Sequence, residues 1–137
     1  MRRETVLVSL CALGVPCRYH GKTHMMGQEL YRRKRIESLM RRYEVLPLCG
    51  EILGGLPTPR PPCEVVVEED GATVVRERGG SRVFTREYFR GARQVVRLCD
   101  IYGVRKAYLQ KGSPMCGPGY GILAGMLEAR GVTVRAL

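Results

Sequence analysis

Cys11, Cys49 and Cys116 each stand just past a short apolar run, in segments 5–11, 45–49 and 107–116, and each run reads as a β-strand. If the three strands lie parallel in one sheet, the thiols all open at its carboxyl edge, where α/β proteins place their sites. Thiolates are soft ligands, and three of them converging in one place point to a metal centre. Three rather than four point to a centre with one coordination position left open for chemistry. The glycine- and proline-rich loop 49–62 sets a carboxylate, Glu51, close to its thiol. Prolines lower the entropy of ordering such a loop, so it reads as a fixed wall of a site, or equally as an ordinary connection with Glu51 in solvent. Loop 111–121 carries Ser113 and Cys116 straight into a helix N-terminus, whose N–H groups could meet an anion or a cluster sulfur.

A second donor set, Cys11, Cys17, His20 and His24, lies in the first loop and offers zinc chemistry. Its spacing is poor, because only two residues separate Cys17 from His20, where zinc modules place about a dozen between ligand pairs. A non-catalytic scaffold holding zinc through Cys17, His20 and His24 stands as an alternative. Gly119, Gly121 and Ala124 fit the dinucleotide pattern G-x-G-x-x-A, but no acidic residue follows about twenty positions on, so the match is weak.

The elements that must position these groups alternate as strand, helix, strand, strand pair, helix, strand, helix, strand. That order predicts a single α/β domain over residues 1–137, Rossmann-like, in three layers around a largely parallel sheet, with an edge β-hairpin. A first helix is expected over 28–42, with Ile36, Leu39, Met40 and Tyr43 on one face. The second shows the clearest stripe, Tyr88, Ala92, Val95, Val96, Cys99 and Tyr102, with Arg86, Arg90, Arg93 and Arg97 facing away and Gly103 as its stop. A short third helix is expected over 121–130 and a last strand over 132–136. Asp70-Gly71 between two β-rich runs signals the hairpin. Cys63 and Cys99 read as structural thiols.

A chain of 137 residues can bury a core without disulfide staples, so its six cysteines need another reason. The apolar stretch 6–15 is broken by Ser9 and Gly14 and lacks a small-x-small cleavage site, which argues against a signal peptide. No run approaches the roughly 20 apolar residues of a membrane span. The expectation is a cytoplasmic protein with reduced or metal-bound thiols and no membrane partner. Of 23 basic residues 19 are Arg, and the net charge is +10. Such a surface could meet nucleic acid, tRNA included, through residues 32–35 and Arg41 and Arg42; the plainer reading is a solvated face, since no aromatic residues interleave with the run 32–35.

Taken together, the three loops resemble the 2-thiouracil desulfidase (TudS-like) family, formerly described only as a domain of unknown function. Its pattern S-x-C-x-x-G-x-x-C-R-Y-(D or H)-G is matched by Ser9, Cys11, Gly14, Cys17, Arg18, Tyr19, His20 and Gly21. Its P-x-C-P-E followed by G-G-L-x-x-P-R-x-P is matched by Pro47, Cys49 and Glu51, then Gly54, Gly55, Leu56, Pro59, Arg60 and Pro62. Its K-x-x-S-P-S-C-G looks like Lys111, Ser113, Pro114, Cys116 and Gly117, with a shorter approach. The three motifs occur in the right order and span nearly the whole chain. Gly50 replaces the usual proline, His20 an aspartate and Met115 the second serine, and the segment between Cys116 and the last helix is shorter than in relatives.

The resemblance implies a [4Fe-4S] cluster held by Cys11, Cys49 and Cys116, with the fourth iron free for the sulfur of a thiolated nucleobase. It implies Glu51 and Ser113 as catalytic groups, and puts Cys17 near the cluster rather than among its ligands. Iron is thiophilic, so an open iron could polarise C=S and hold the departing sulfide with no net redox change. Glu51 could then activate water or shuttle protons while Ser113 hydrogen-bonds the heterocycle. A protein that binds RNA or acts on tRNA thiouridine is the alternative from a different class.

Overall fold

The computed structural model describes residues 2–22 and 29–137. Its elements follow the expected alternation: β1 Thr5–Ser9, α1 Glu29–Arg42, β2 Glu44–Leu48, a one-turn α2 Gly50–Leu53, β3 Cys63–Val67, β4 Thr73–Glu77, α3 Thr85–Tyr102, β5 Lys106–Leu109, α4 Ile122–Ala129 and β6 Thr133–Ala136. A 3-10 turn, Leu10–Leu13, caps the end of β1.

Four strands pair parallel in the order β2-β1-β5-β6. β1 is central, and Val6, Leu7 and Val8 are wholly buried, the continuous apolar run that a strand covered on both faces needs. Val6 and Val8 pack on Ile36 and Leu39 of α1 and on Tyr43 just after it. Leu7, one residue out of phase, faces the other layer, where Ala92 and Val95 of α3 and Leu123 and Leu127 of α4 complete the larger core. The chain leaves β1 through α1 toward β2, then resumes at β5 on the other side of β1 and leaves through α4 toward β6. The direction of winding therefore reverses between β1 and β5, which opens a crevice at their carboxyl ends.

Two residues expected to face inward do not. Met40 is 51 % exposed, because the stripe that meets the sheet is only Ile36, Leu39 and Tyr43 wide. Tyr102 is 56 % exposed, because it ends α3 beyond the sheet, just before Gly103 turns the chain with φ +67°. The hairpin forms around Gly71, with Val65 opposite Val75, but as a two-stranded sheet of its own. Pro47 lies in β2 and has no N–H, which makes that edge a poor template for another strand. The hairpin is fixed to α3 instead: Val75 N donates to Thr85 Oγ1 (2.9 Å), Phe84 N donates to Val75 O (2.8 Å), and the wholly buried Val75 joins the larger core.

α2 lies against α3 with backbone meeting backbone. A Cβ on Gly91 of α3 would overlap the Gly50 carbonyl oxygen, and one on Gly54 would overlap the Glu87 carbonyl oxygen. Arg90 clamps the same contact by donating from Nε (3.1 Å) and Nη2 (2.6 Å) to Gly54 O. α2 begins directly after Cys49 and carries Glu51, so this approach sets where both stand. Gly91→Ala is expected to cost about 1–3 kcal/mol through overpacking, although alanine is the better helix former. Urea unfolding measures it; an unchanged or higher midpoint would show that α2 is free to move away.

Candidate active site

Each of the three loops presents its thiol by a different local device. Cys11 rides on the 3-10 turn, which Gly14 closes in the left-handed region at φ +89°. The chain then folds back so that Cys17 returns to the same place, 5 % exposed. Cys49 is the extended N-cap residue of α2, which puts Glu51 in the first turn of that helix. In the third loop Ser113 Oγ accepts from Met115 N and Cys116 N, both at 3.1 Å, which holds Cys116 at 8 % exposure.

The N-terminal turn of α4 is already occupied. Ile122 N donates to Pro114 O (2.9 Å) and Leu123 N to Met115 O (2.8 Å), with Ala124 N reaching Met115 O at 3.4 Å. The loop that carries Cys116 is thus hooked onto its own helix. These N–H groups are not free for a dinucleotide phosphate or a cluster sulfur, which corrects the dinucleotide reading of segment 119–124 and the expectation that loop 111–121 leads into an open helix N-terminus.

Cys11, Cys17, Cys49 and Cys116 converge with Glu51 and Ser113 on one cavity of about 180 Å³. It lies at the carboxyl ends of β1, β2 and β5, in the crevice where the winding reverses. The thiols sense one another. A hydrogen bond from Cys17 holds the Cys11 pKa below its ordinary value, and the same bond raises that of Cys17. Cys49 is pushed well up by its hydrogen bond with Cys17 and by burial. Burial pushes Cys116 up to about 12, opposed by the hydroxyls of Ser9 and Ser113. Such thiols gain from a cation that takes their protons' place. Among the described residues no three His, Cys, Asp or Glu donors gather closely enough for one metal ion.

The carboxylate is organised as closely as the sulfurs. Glu51 is 7 % exposed, and its two oxygens have separate duties. Oε2 pairs with the Arg60 guanidinium, while Oε1 accepts from Ser113 Oγ at 3.3 Å. Arg60 Nη2 also donates to Cys17 O (2.9 Å), and Nη1 to Pro57 O (3.2 Å) and Thr58 Oγ1 (3.1 Å). The sequence motif contains Arg60, but nothing in the spacing says that it reaches back to Glu51. Gln110 is a second group that spacing does not disclose. Its N donates to Ser9 Oγ (2.9 Å), and its side chain accepts from Arg32 Nη1 of α1 (2.6 Å), tying that helix to the cavity wall.

The zinc alternative gains no support from His20, whose Nδ1 accepts from Lys22 N (2.9 Å) and which does not line the cavity; His24 lies outside the described residues. Cys99 sits in the core between α3 and its neighbours, its thiol pushed up to about 11 by burial. Cys63 belongs to the core but also lines the cavity, where its thiol reaches Pro61 O (3.5 Å) beside Tyr88.

Two of the chain's departures from the resembled motifs prove to be one. A Cβ on Gly50 would stand 2.9 Å from Met115 Sδ and 3.1 Å from its Cε, and Met115 is 1 % exposed. The longer side chain in the third loop fills the space that glycine leaves in the second.

Fold and site together define an α/β protein of the doubly wound kind, with a thiol-lined cavity and a buried carboxylate at its switch point. Residues 6–137 match the model of the 2-thiouracil desulfurase family. The chain belongs to that family, and with it to the sulfur-removing enzymes. It is 30 % identical over 133 residues to an uncharacterized protein of Bacillus subtilis (strain 168), YbbK, covering 93 % of this chain and 82 % of that one. The solved structure of a [4Fe-4S]-dependent thiouracil desulfidase, TudS (DUF523Vcz), superposes with a TM-score of 0.80 at 32 % identity, covering 98 % of this chain and 91 % of that one.

The Gly50–Met115 contact makes a measurable pair. Gly50→Ala alone is expected to destabilise by about 1–3 kcal/mol and Met115→Ser alone by about 2–5 kcal/mol. Together they should cost at least about 1 kcal/mol less than their sum. Denaturant unfolding of the four proteins gives the coupling, and strict additivity would mean that the side chains do not share the space.

Proposed function

We propose that this protein is an iron–sulfur-dependent desulfidase that replaces the sulfur of a thiolated pyrimidine by oxygen, with Cys11, Cys49 and Cys116 holding a [4Fe-4S] cluster. The observation that carries the reading is the meeting of three strand-end thiols with Glu51 and Ser113 in one cavity. The donor set suits the cluster, being all thiol and drawn from three separate loops around one cavity. When bound, a cluster with three protein ligands supplies a thiophilic, Lewis-acidic iron with one free position for the substrate sulfur.

The chain's own groups then handle protons and water. Conversion of C=S to C=O consumes one water and releases hydrogen sulfide, with no change in electron count. Glu51 Oε1, the oxygen that Arg60 leaves free, takes a proton from the attacking water. Ser113 Oγ, which donates to Oε1 at 3.3 Å, is placed to take that proton from Glu51 and hand its own toward the sulfur side of the heterocycle, so that sulfide leaves carrying both protons of the water. Cys17 stays a thiol that hydrogen-bonds its neighbours rather than a fourth ligand, which would close the open position.

A nucleotide or a tRNA thiouridine is the second reading of the substrate. Arg18 and Arg78 line the cavity with the thiols, where guanidinium groups suit an anionic extension of the base. All six cysteines are free, which suits a reducing compartment such as the cytoplasm.

Anaerobic reconstitution should load about four irons per chain with matching sulfide. Cys11→Ala, Cys49→Ala and Cys116→Ala should each lose the cluster, while Cys17→Ala, Cys63→Ala and Cys99→Ala keep it. Glu51→Gln should retain iron yet lower kcat on 2-thiouracil by about 10²–10⁴-fold. A parent protein that takes up no iron, or a Cys116→Ala variant that loads as well as the parent, would sink the reading. A KM for a thiolated nucleotide that rises with salt, beside a flat one for the free base, would favour the anionic substrate.

A further inference from the structure

We infer that Arg60 is the positioning residue for Glu51: it commits one carboxylate oxygen to itself, leaves the other to the reacting groups, and locks the first loop against the second. The inference rests on the desulfidase reading for its catalytic part.

The Glu51 and Arg60 side chains are only 9 % and 3 % exposed. Burying two charges costs several kcal/mol per ion before their attraction is counted, so such a pair gives little net stability and can often be exchanged for apolar groups without loss. The cost is higher here because Arg60 Nε is buried with no partner among the described residues. Packing alone does not explain a guanidinium in this place.

Its contacts do. A planar fork can hold several acceptors in fixed directions at once, which an ammonium group cannot. Here the fork binds Glu51 Oε2 from α2, Cys17 O from the first loop, and Pro57 O and Thr58 Oγ1 from the second. The backbone N–H of Arg60 adds a bond to Tyr19 O at 2.7 Å. One residue thus ties Glu51 to the turn that carries Cys17, and the free oxygen of Glu51 is left 3.3 Å from Ser113 Oγ. Without Arg60 the carboxylate could rotate and present either oxygen, or neither, to Ser113.

The test compares Arg60→Met, Arg60→Lys, Glu51→Gln and the double variant Arg60→Met with Glu51→Gln, all reconstituted with the cluster. Iron content should stay at the parent level in every one. Arg60→Met should lower kcat on 2-thiouracil by about 10²-fold with KM changed less than about threefold, and Arg60→Lys should recover about tenfold of that loss. In the Glu51→Gln background the Arg60→Met change should cost less than about threefold more, because the group it positions is already gone. Equal and multiplying losses, or a kcat within about threefold of the parent in Arg60→Met, would overturn the inference.

Melting temperature gives a readout independent of turnover. Arg60→Met and Glu51→Gln each leave a charge buried alone and should melt about 10 °C or more below the parent, whereas the double variant removes both charges and should recover most of the loss. Should Arg60→Met fail to fold, the double variant and Arg60→Lys decide in its place. A parent inactive on thiolated pyrimidines would refute the functional reading and with it the catalytic part. Additive melting losses in an active parent would refute the pairing alone.

Discussion

Parallel strands end on the same edge of a sheet, and the two that flank β1 here are reached by crossovers lying on opposite faces. The rest of the site follows from that constraint. Three loops must leave one edge in different directions, and the space between them cannot be filled by the helices that cover the faces. Each loop carries a cysteine in its first turns, so the cavity is lined with sulfur without any single segment having to contain a metal motif. The ligands are far apart in sequence and close in space, the reverse of a zinc module.

Holding such loops still is the harder task, and this chain does it with polar locks rather than with apolar mass. Ser113 gathers the backbone of the third loop, Gln110 joins α1 to the end of β5, and Arg60 fastens the second loop to the first. The apolar cores lie deeper, behind the sheet edge. That division fits a site whose groups must face a polar substrate and yet not wander. It also concentrates the buried charge in one place, where loss of either partner leaves the other stranded in a poor dielectric.

The layers could be read from the chain because apolar runs and stripes are local. The run at 5–11 reads as a strand and the stripe from Tyr88 as an amphipathic helix, and the chain forms β1 and α3 there. The three cysteines could be read because each lies in the loop that leaves the carboxyl end of a parallel strand, Cys49 directly after β2, Cys11 in the turn after β1 and Cys116 farther along the loop after β5, so topology brings them to one edge. The partnership of Glu51 with Arg60 could not, since it depends on the path of a loop whose own prolines and glycines carry no periodic signal. The separate hairpin was hidden for a related reason: strand propensity says that two runs will pair with each other, and says nothing of what lies beside them. The exposure of Met40 and Tyr102 shows the same limit, because the width of a buried stripe is set by the partner surface.

The contact between Gly50 and Met115 has an evolutionary consequence. Two loops that meet only in the folded molecule share one small volume, so the two positions are not independent letters of the sequence. A lineage moving between a bulkier second loop and a bulkier third one must pass through an intermediate that is either overfilled or hollow. Such a valley keeps each solution isolated once reached. The packing between these two loops is therefore inherited as a unit, and a library that varies its positions singly would find the present pair a local optimum even if a better combination lay two steps away.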